Sequence, residues 1–284
     1  MRGKIKTSKH FSARFLLVVL FLNLFNIIPL LASTNDSIKD NEGWYRQRFD
    51  ITVNGIYAVM ETNLRFESSN GFLGARINFE DHLGLTKSQV MPMISTVFNI
   101  KNRANILAYY YGIPRKSYYT TKNEFDYNGE VIEAGTEIRA HFNTNVYSIG
   151  YMHDVFVDTK SRLGLFINFY VLTFNTGISS NNELIDQSFR IAAPLPHIGV
   201  MTSYKLHPKI GLTGLFSFFF LSVGKFGGSI HTLGAQVDFD LTRWLDLGCG
   251  YYLFDLNLEA ETTNFTGLFD FMYQGPYLSL GFRF

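Results

Sequence analysis

Residues 273–284 read Tyr-Gln-Gly-Pro-Tyr-Leu-Ser-Leu-Gly-Phe-Arg-Phe, and the second half of this stretch alternates without a break. Leu278, Leu280, Phe282 and Phe284 fall on one face, Ser279, Gly281 and Arg283 on the other. Successive side chains of a β-strand point to opposite sides of the sheet, so the pattern predicts a strand with one apolar face and one small or polar face. The same dyad period recurs upstream. Leu233, Ala235, Val237, Phe239 and Leu241 alternate against Thr232, Gly234, Gln236, Asp238 and Asp240. Leu163, Leu165, Ile167 and Phe169 share a face, as do Leu245, Leu247, Cys249, Tyr251 and Leu253. From Asp50 to Phe284 such segments, rich in Val, Ile, Phe, Tyr and Thr, are separated by turn residues with no helical period, which predicts an all-β chain.

A soluble sandwich also alternates, so the connections must decide the solvent. Strands are expected at 50–66, 90–100, 104–119, 136–155, 161–176, 194–206, 209–222, 228–241, 244–259 and 268–284. Between them, very short links such as Lys101-Asn102-Arg103, His207-Pro208 and Thr242-Arg243 take turns with longer stretches at 67–89, 120–135, 177–193 and 260–267. Short turns at one end and longer loops at the other are how transmembrane barrels are built. The expected fold is therefore a transmembrane, antiparallel, up-and-down β-barrel of about 10 strands (8–12), closed so that no strand edge meets hydrocarbon. Tyr109 to Tyr111, Tyr118 and Tyr119, Phe218 to Phe220, and Tyr251 and Tyr252 would supply interfacial aromatic girdles. Two strands break the pattern. Apolar residues change face beyond Met60, at Leu64 and Phe66, and beyond Leu253, at Phe254, Leu256 and Leu258. Either a bulge shifts the register there, or the upper strand halves stand above the membrane.

The first residues carry a different signal. Arg2, Lys4, Lys6, Lys9 and Arg14 precede an apolar run from Phe15 to Leu22, continued at Ile27 to Leu31 and followed by Ala32 and Ser33. These are the parts of a secretory signal peptide, with a retained anchor as the competing reading. The organisation that follows is a signal peptide over 1–33, a short periplasmic lead over 34–49 and a barrel over 50–284. The formal charge of +1 includes five cations and no anion before Thr34, so the mature chain carries −4 and has no basic excess for nucleic acid. The single cysteine, Cys249, rules out an intramolecular disulfide.

Several segments resemble a known group. Residues 71–85, Gly-Phe-Leu-Gly-Ala-Arg-Ile-Asn-Phe-Glu-Asp-His-Leu-Gly-Leu, are similar to a segment found in a group of single-chain outer-membrane barrel proteins of Gram-negative bacteria. Ala193-Pro194-Leu195-Pro196, Phe254-Asp255-Leu256-Asn257-Leu258 and the closing stretch resemble later segments of the same group. The resemblance implies an outer-membrane barrel and brings no catalytic or binding residues with it; small barrels of the OmpA, OmpX and OmpW kind are an analogy of shape. The last strand also resembles the C-terminal signature read by the barrel assembly machinery, which makes Phe284, Phe282 and Leu280 a candidate assembly signal. Expected partners are that machinery and the lipid and lipopolysaccharide of the outer membrane, and no cofactor or metal is implied.

Chemistry-bearing patterns are sparse. No G-x-S-x-G, H-E-x-x-H or phosphate loop occurs. His153 and Asp154 are adjacent in a strand and hence on opposite faces. Glu137, Arg139, His141 and Asn143 alternate on one face, either as a lumen constriction or as a polar wall above the membrane. Glu80-Asp81-His82 reads as solvated acid in a loop. In the lower lumen, the turn after Asp240 is expected to pair Asp238 with Asp246. Two facing carboxylates repel, so Arg283, with Lys205 as a second cation, is expected to reach them. The functional alternative for these acids is a proton or cation site at the periplasmic mouth. Bulky inward candidates Tyr109, Tyr111, Phe166, Tyr170, Met201 and Phe219 would help to close the lumen, while Gly150, Gly199, Gly211, Gly234, Gly248 and Gly250 would leave room. The expectation is a non-enzymatic barrel, structural or a narrow conduit for small solutes; the alternatives are surface recognition by the loops and a lipid- or lipopolysaccharide-modifying enzyme.

Overall fold

The computed structural model describes residues 48–67, 73–101, 103–127, 130–180, 186–223, 226–261 and 266–284. Residues 1–47, which hold the expected signal peptide and most of the expected periplasmic lead, lie outside them. The elements are β1 (Phe49–Glu67), β2 (Leu73–Asn78), a single helical turn α1 (Phe79–His82), β3 (Ser88–Lys101), β4 (Ala104–Thr120), β5 (Phe125–Tyr127), β6 (Glu130–Ile132), β7 (Glu137–Val157), β8 (Ser161–Ser180), β9 (Asp186–His207), β10 (Ile210–Val223), β11 (Phe226–Asp240), β12 (Leu245–Glu261) and β13 (Thr266–Arg283).

Ten of these strands form the barrel wall in the order β1, β3, β4, β7, β8, β9, β10, β11, β12, β13, each antiparallel to its neighbour, and β13 pairs with β1 to close it. Closure pairs each wall strand with two neighbours, as an apolar solvent requires, although the β3–β4 ladder runs only from Lys101 up to Met93. The seam is completed by Phe284, whose backbone N donates to Phe49 O at 2.8 Å while its carbonyl accepts from Arg48 N at 2.9 Å. Four short links and both ends of the wall lie at one rim, which we call the floor. At the opposite rim β2 adds to the upper part of β1, over Asn63 to Glu67, where β3 no longer reaches. The β5–β6 hairpin stands in the connection from β4 to β7.

In two connections expected to be long loops, 177–193 and 260–267, the described residues are strand. β8 runs to Ser180 and β9 starts at Asp186, while β12 runs to Glu261 and β13 starts at Thr266. Asn, Gly, Ser and Thr in these stretches read as turn residues, but ladder bonds are made by backbone, and pairing with a neighbour overrides weak strand propensity.

The change of face in β1 and β12 involves no bulge. β1 and β13 keep one register from Asp50 opposite Arg283 to Phe66 opposite Gly267, and β12 keeps one register with β11 and with β13. What changes is the environment. In the lower barrel the outer face is apolar and exposed: Val53, Tyr57 and Val59 on β1, Leu165 to Val171 on β8, Leu247 and Tyr251 on β12. Each such stretch (51–59, 163–171, 245–253) is nine residues long, the roughly 9–11 residues with which a tilted strand crosses hydrocarbon. Above it the outer face turns polar at Glu61, Asn143, His141, Asn175, Asp255, Asn257 and Asp270. The inner face turns apolar at the same height, with Met60, Leu64, Phe142, Phe174, Phe254, Leu256, Phe269 and Phe271 buried in one cluster. The upper barrel is thus built as a water-soluble barrel stacked on a membrane-spanning one.

Candidate functional site

At the floor, four residues, 241–244, link β11 to β12, two more than the expected Thr242-Arg243. Thr242 builds it: its Oγ1 accepts from Trp244 N and Leu245 N at 3.3 and 3.1 Å, and Leu241 N and Thr242 N both donate to Leu245 O at 3.0 Å. Five residues, 241–245, separate the facing Asp240 and Asp246, where the expected pairing of Asp238 with Asp246 leaves three after Asp240, so the register moves by two. Asp240, not Asp238, stands opposite Asp246, and Asp238 faces Gly248. Arg283 lies between the opposed carboxylates, with Nη1 2.7 Å from Asp240 Oδ1 and Nε 3.1 Å from Asp246 Oδ2. One guanidinium, whose rigid fork presents several donors, offsets the repulsion of both acids. Asp238 instead accepts from Gln236 Nε2 and from Thr213 Oγ1. Lys205 stands two strands from Asp238, with Gly211 between them in the same row. A second floor group on the far wall joins Asp154 to Arg162 at 2.9 Å and to Asn105 Nδ2 at 3.0 Å.

Higher in the lumen the inward aromatic residues meet one another. Tyr109 packs on Tyr170 at 5.4 Å and Tyr111 on Tyr273 at 5.7 Å between ring centroids. His197, wholly buried, lies against Tyr170 and places Nδ1 3.3 Å from Ser217 Oγ. Most of the inward glycines leave no room, because neighbours already lie across them. Asn168 occupies the space beside Gly150, Phe166 that beside Gly199, Tyr277 that beside Gly250, and Ser279 that beside Gly248. Only Gly211 and Gly234, of the six, face side chains at ordinary contact distance.

At the top, residues from opposite walls touch. Phe174 on β8 and Phe269 on β13, five strands apart around the barrel, have ring centroids 5.0 Å apart, and Phe142 on β7 lies 5.8 Å from Phe271. The connection from β1 to β3 folds in over this layer, burying Ile77, Phe79, Leu83 and Leu85. Asn78 caps α1 by accepting from Asp81 N at 2.8 Å. Glu80, expected to be solvated, is buried and paired with Arg115 at 2.5 Å, and its other oxygen accepts from Thr62 N at 2.9 Å. Its neighbours stay outside. Lys87, bonded to Asp81 at 2.8 Å, holds that exposed carboxyl below the usual carboxylate range, and His82 Nδ1 lies 3.0 Å from Asn78 N and O.

The row Glu137, Arg139, His141, Asn143 faces outward, above the apolar belt, so it is a wall and not a lumen constriction. Its alternate partners Ile138, Ala140 and Phe142 take the inner positions because the upper lumen is the apolar side. His141 Nε2 lies 3.2 Å from Asn175 Oδ1. Cys249 is exposed on the outer face between Leu247 and Tyr251, and Phe284 and Leu280 face outward with Phe282 in the same row. Among the described residues, no three of His, Cys, Asp and Glu come together as metal ligands would.

No protein-family model and no curated protein matches this sequence. Solved structures do. The outer membrane protease OmpT from Escherichia coli is similar over 84% of this chain and 97% of its own, with a TM-score of 0.52 at 11% identity. The toluene transporter TodX of Pseudomonas putida is matched over 86% and 92% (TM-score 0.34, 8% identity), and the translocator domain of the autotransporter NalP from Neisseria meningitidis over 96% and 98% (TM-score 0.34, 8% identity). The first of these likenesses shows the fold, that of a Gram-negative outer-membrane β-barrel. With its lipid-facing belt, the chain is an integral protein of the Gram-negative outer membrane.

Proposed function

We propose that this protein is a filled, non-conducting outer-membrane barrel, a rigid stem that carries a polar collar and its loops to the cell surface. The observation behind this reading is the contact between opposite walls, Phe174 against Phe269 and Phe142 against Phe271, with Phe142, Phe174 and Phe271 each at most 2% exposed. Ten strands enclose a lumen little wider than that of eight-stranded barrels, which side chains fill. Here they fill it twice, with a hydrogen-bonded polar floor and an apolar layer that offers a hydrated solute no partners. Of the two roles open to a non-enzymatic barrel, structural support is favoured over a conduit, and the analogy to small OmpA-like barrels extends to the filled interior.

Planar-bilayer recordings of the refolded full chain test this. No stepwise conductance is expected from the wild type; a steady ohmic conductance would overturn the proposal. The protease OmpT makes peptide hydrolysis the natural enzymatic rival, but that likeness is one of fold. His141 lies against Asn175, and His197, 3.3 Å from Ser217, is wholly buried in the lumen where a peptide has no access. Peptide or lipid hydrolysis by the purified barrel that is lost on His141→Ala would reinstate the rival.

A further inference from the structure

The polar collar is not uniform around the barrel. On β4 and β7 the outward positions hold Lys116 directly opposite His141 and Tyr118 directly opposite Arg139. Arg139 lies 5.8 Å over the Tyr118 ring, and Tyr118 is 82% exposed. Among the described residues neither Lys116 nor Arg139 meets a carboxylate at ion-pair distance; Glu137 stands above them at the rim. Further round the wall, past β3, the strands β1, β13 and β12 present Glu61, Asp270, Asp255 and Glu259, where Arg76 lies 3.2 Å from Asp270 and 3.9 Å from Glu61. The collar is therefore basic on β4 and β7 and mainly acidic over β12, β13 and β1.

Height matters as much as sign. Below the basic wall, on the same two strands, Tyr110 and Tyr147 pack with ring centroids 4.8 Å apart and planes tilted by 30° at the top of the apolar belt, where interfacial tyrosines stand. Lys116 and His141 each lie six residues further up, a run of about 20 Å along a strand and less along the membrane normal once the strands tilt. The cations thus stand in the zone above the apolar belt, with Gly112 and Pro114 on β4 and Asn145 and Asn143 on β7 between them and the two tyrosines. In the outer leaflet of this membrane that zone is occupied by the phosphoryl groups of lipopolysaccharide.

We propose that the outer wall of β4 and β7 is a lipopolysaccharide-binding site, in which Lys116, Arg139 and His141 take the phosphoryl groups and Tyr118 packs beside the sugar bearing them. Charge-assisted bonds from Lys and Arg to phosphate are strong and need no built cavity, and anionic headgroups are held by clustered basic residues at a membrane surface. The site is independent of whether the lumen is closed.

The test is native mass spectrometry of the refolded full chain in non-ionic detergent, titrated with lipopolysaccharide, with the same lipopolysaccharide stripped of phosphate, and with phosphatidylglycerol. The wild type is expected to bind lipopolysaccharide at least tenfold more tightly than either of the others. Lys116→Gln with Arg139→Gln should lose that tenfold, and Lys209→Gln, a cation at the opposite rim, should lose nothing. Binding by the double variant within twofold of wild type overturns the site. So does equal affinity of the wild type for the dephosphorylated form or for phosphatidylglycerol, a result read on the unmutated protein and so unaffected if the variant misfolds.

Discussion

Arg115 and Glu80 meet at 2.5 Å at the top of the lumen with side chains 0% and 2% exposed. The guanidinium also donates to Thr62 Oγ1 at 2.6 Å and lies 4.9 Å over the Phe142 ring. Removing one partner from a buried pair strands the other charge, at a cost of about 3–5 kcal/mol. Arg115→Met should therefore lower the denaturant midpoint strongly. Arg115→Met with Glu80→Gln, which keeps an acceptor for Thr62 N, should recover much of the loss. Equal losses in single and double variants, in guanidinium titrations followed by intrinsic fluorescence, would show that the pair is not coupled.

The floor makes a parallel case with more solvent. Arg283 separates Asp240 from Asp246, directly opposed on β11 and β12. Arg283→Met should cost about 1.5–3 kcal/mol, the usual worth of hydrogen bonds to charged groups. In that background Asp246→Asn should be stabilising, since it removes an uncompensated repulsion, whereas in the wild type it should destabilise. Thermal unfolding of the four proteins checks this, and an Asp246→Asn effect of the same sign in both backgrounds would refute it.

These two sites also mark how far the sequence could be read. Lipid-facing rows such as Leu278, Leu280 and Leu165, Ile167, Phe169 were legible because a hydrocarbon solvent imposes strict alternation on every strand that crosses it. The row from Glu137 to Asn143 showed that four side chains share a face but not which face, because the solvent outside the barrel changes from lipid to water part-way up. The partner row supplies the missing sign: Ile138, Ala140 and Phe142 are apolar where the interior must be. Asp240 was displaced from the expected register by the hydroxyl of Thr242, a local effect of one side chain on one turn. The pairing of Glu80 with Arg115 spans 35 residues and two elements. Its one signal was Arg115 itself, standing in an inward row with Tyr111, Ile113 and Ser117, where a cation requires a partner.

Phe284 contributes both a ring to the outer belt and three main-chain bonds to the seam. The two roles separate by mutation. Phe284→Ala keeps the bonds to Arg48 and Phe49 and removes only apolar surface, so a modest fall in assembled protein is expected. Deleting Phe284 removes both and should lower the heat-modifiable fraction in outer membranes further. Deletion and substitution giving the same level would assign the whole effect to the ring, and normal levels in both would end the idea.

The seam has a second weak point at mid-height, where its ladder skips Tyr57 and Ala58 between the pairs Ile56 with Tyr277 and Val59 with Gln274. The residue that would oppose Tyr57 is Pro276, which has no N–H to give. The two backbones also run close here, and any Cβ at Gly275 would run into the carbonyl oxygen of Tyr57. Main chain held in a closed barrel cannot step aside as a side-chain tip would. Gly275→Ala should therefore sit at or above the upper end of the roughly 1–3 kcal/mol that overpacking costs. Gly234 offers the control. It too faces the lumen, but a Cβ there would find Tyr252 Cδ2 at 3.5 Å and Leu215 Cβ at 3.6 Å, ordinary contacts. Gly234→Ala should be neutral or stabilising by about 0.4–1 kcal/mol, since it also reduces the freedom of the unfolded chain. Guanidinium midpoints of the two variants should differ clearly, with Gly275→Ala below wild type and Gly234→Ala at or above it. Were Gly275→Ala as stable as wild type, the close approach of β1 and β13 at Pro276 would not be a constraint of the folded barrel, and the glycine there would have to be explained by something other than space.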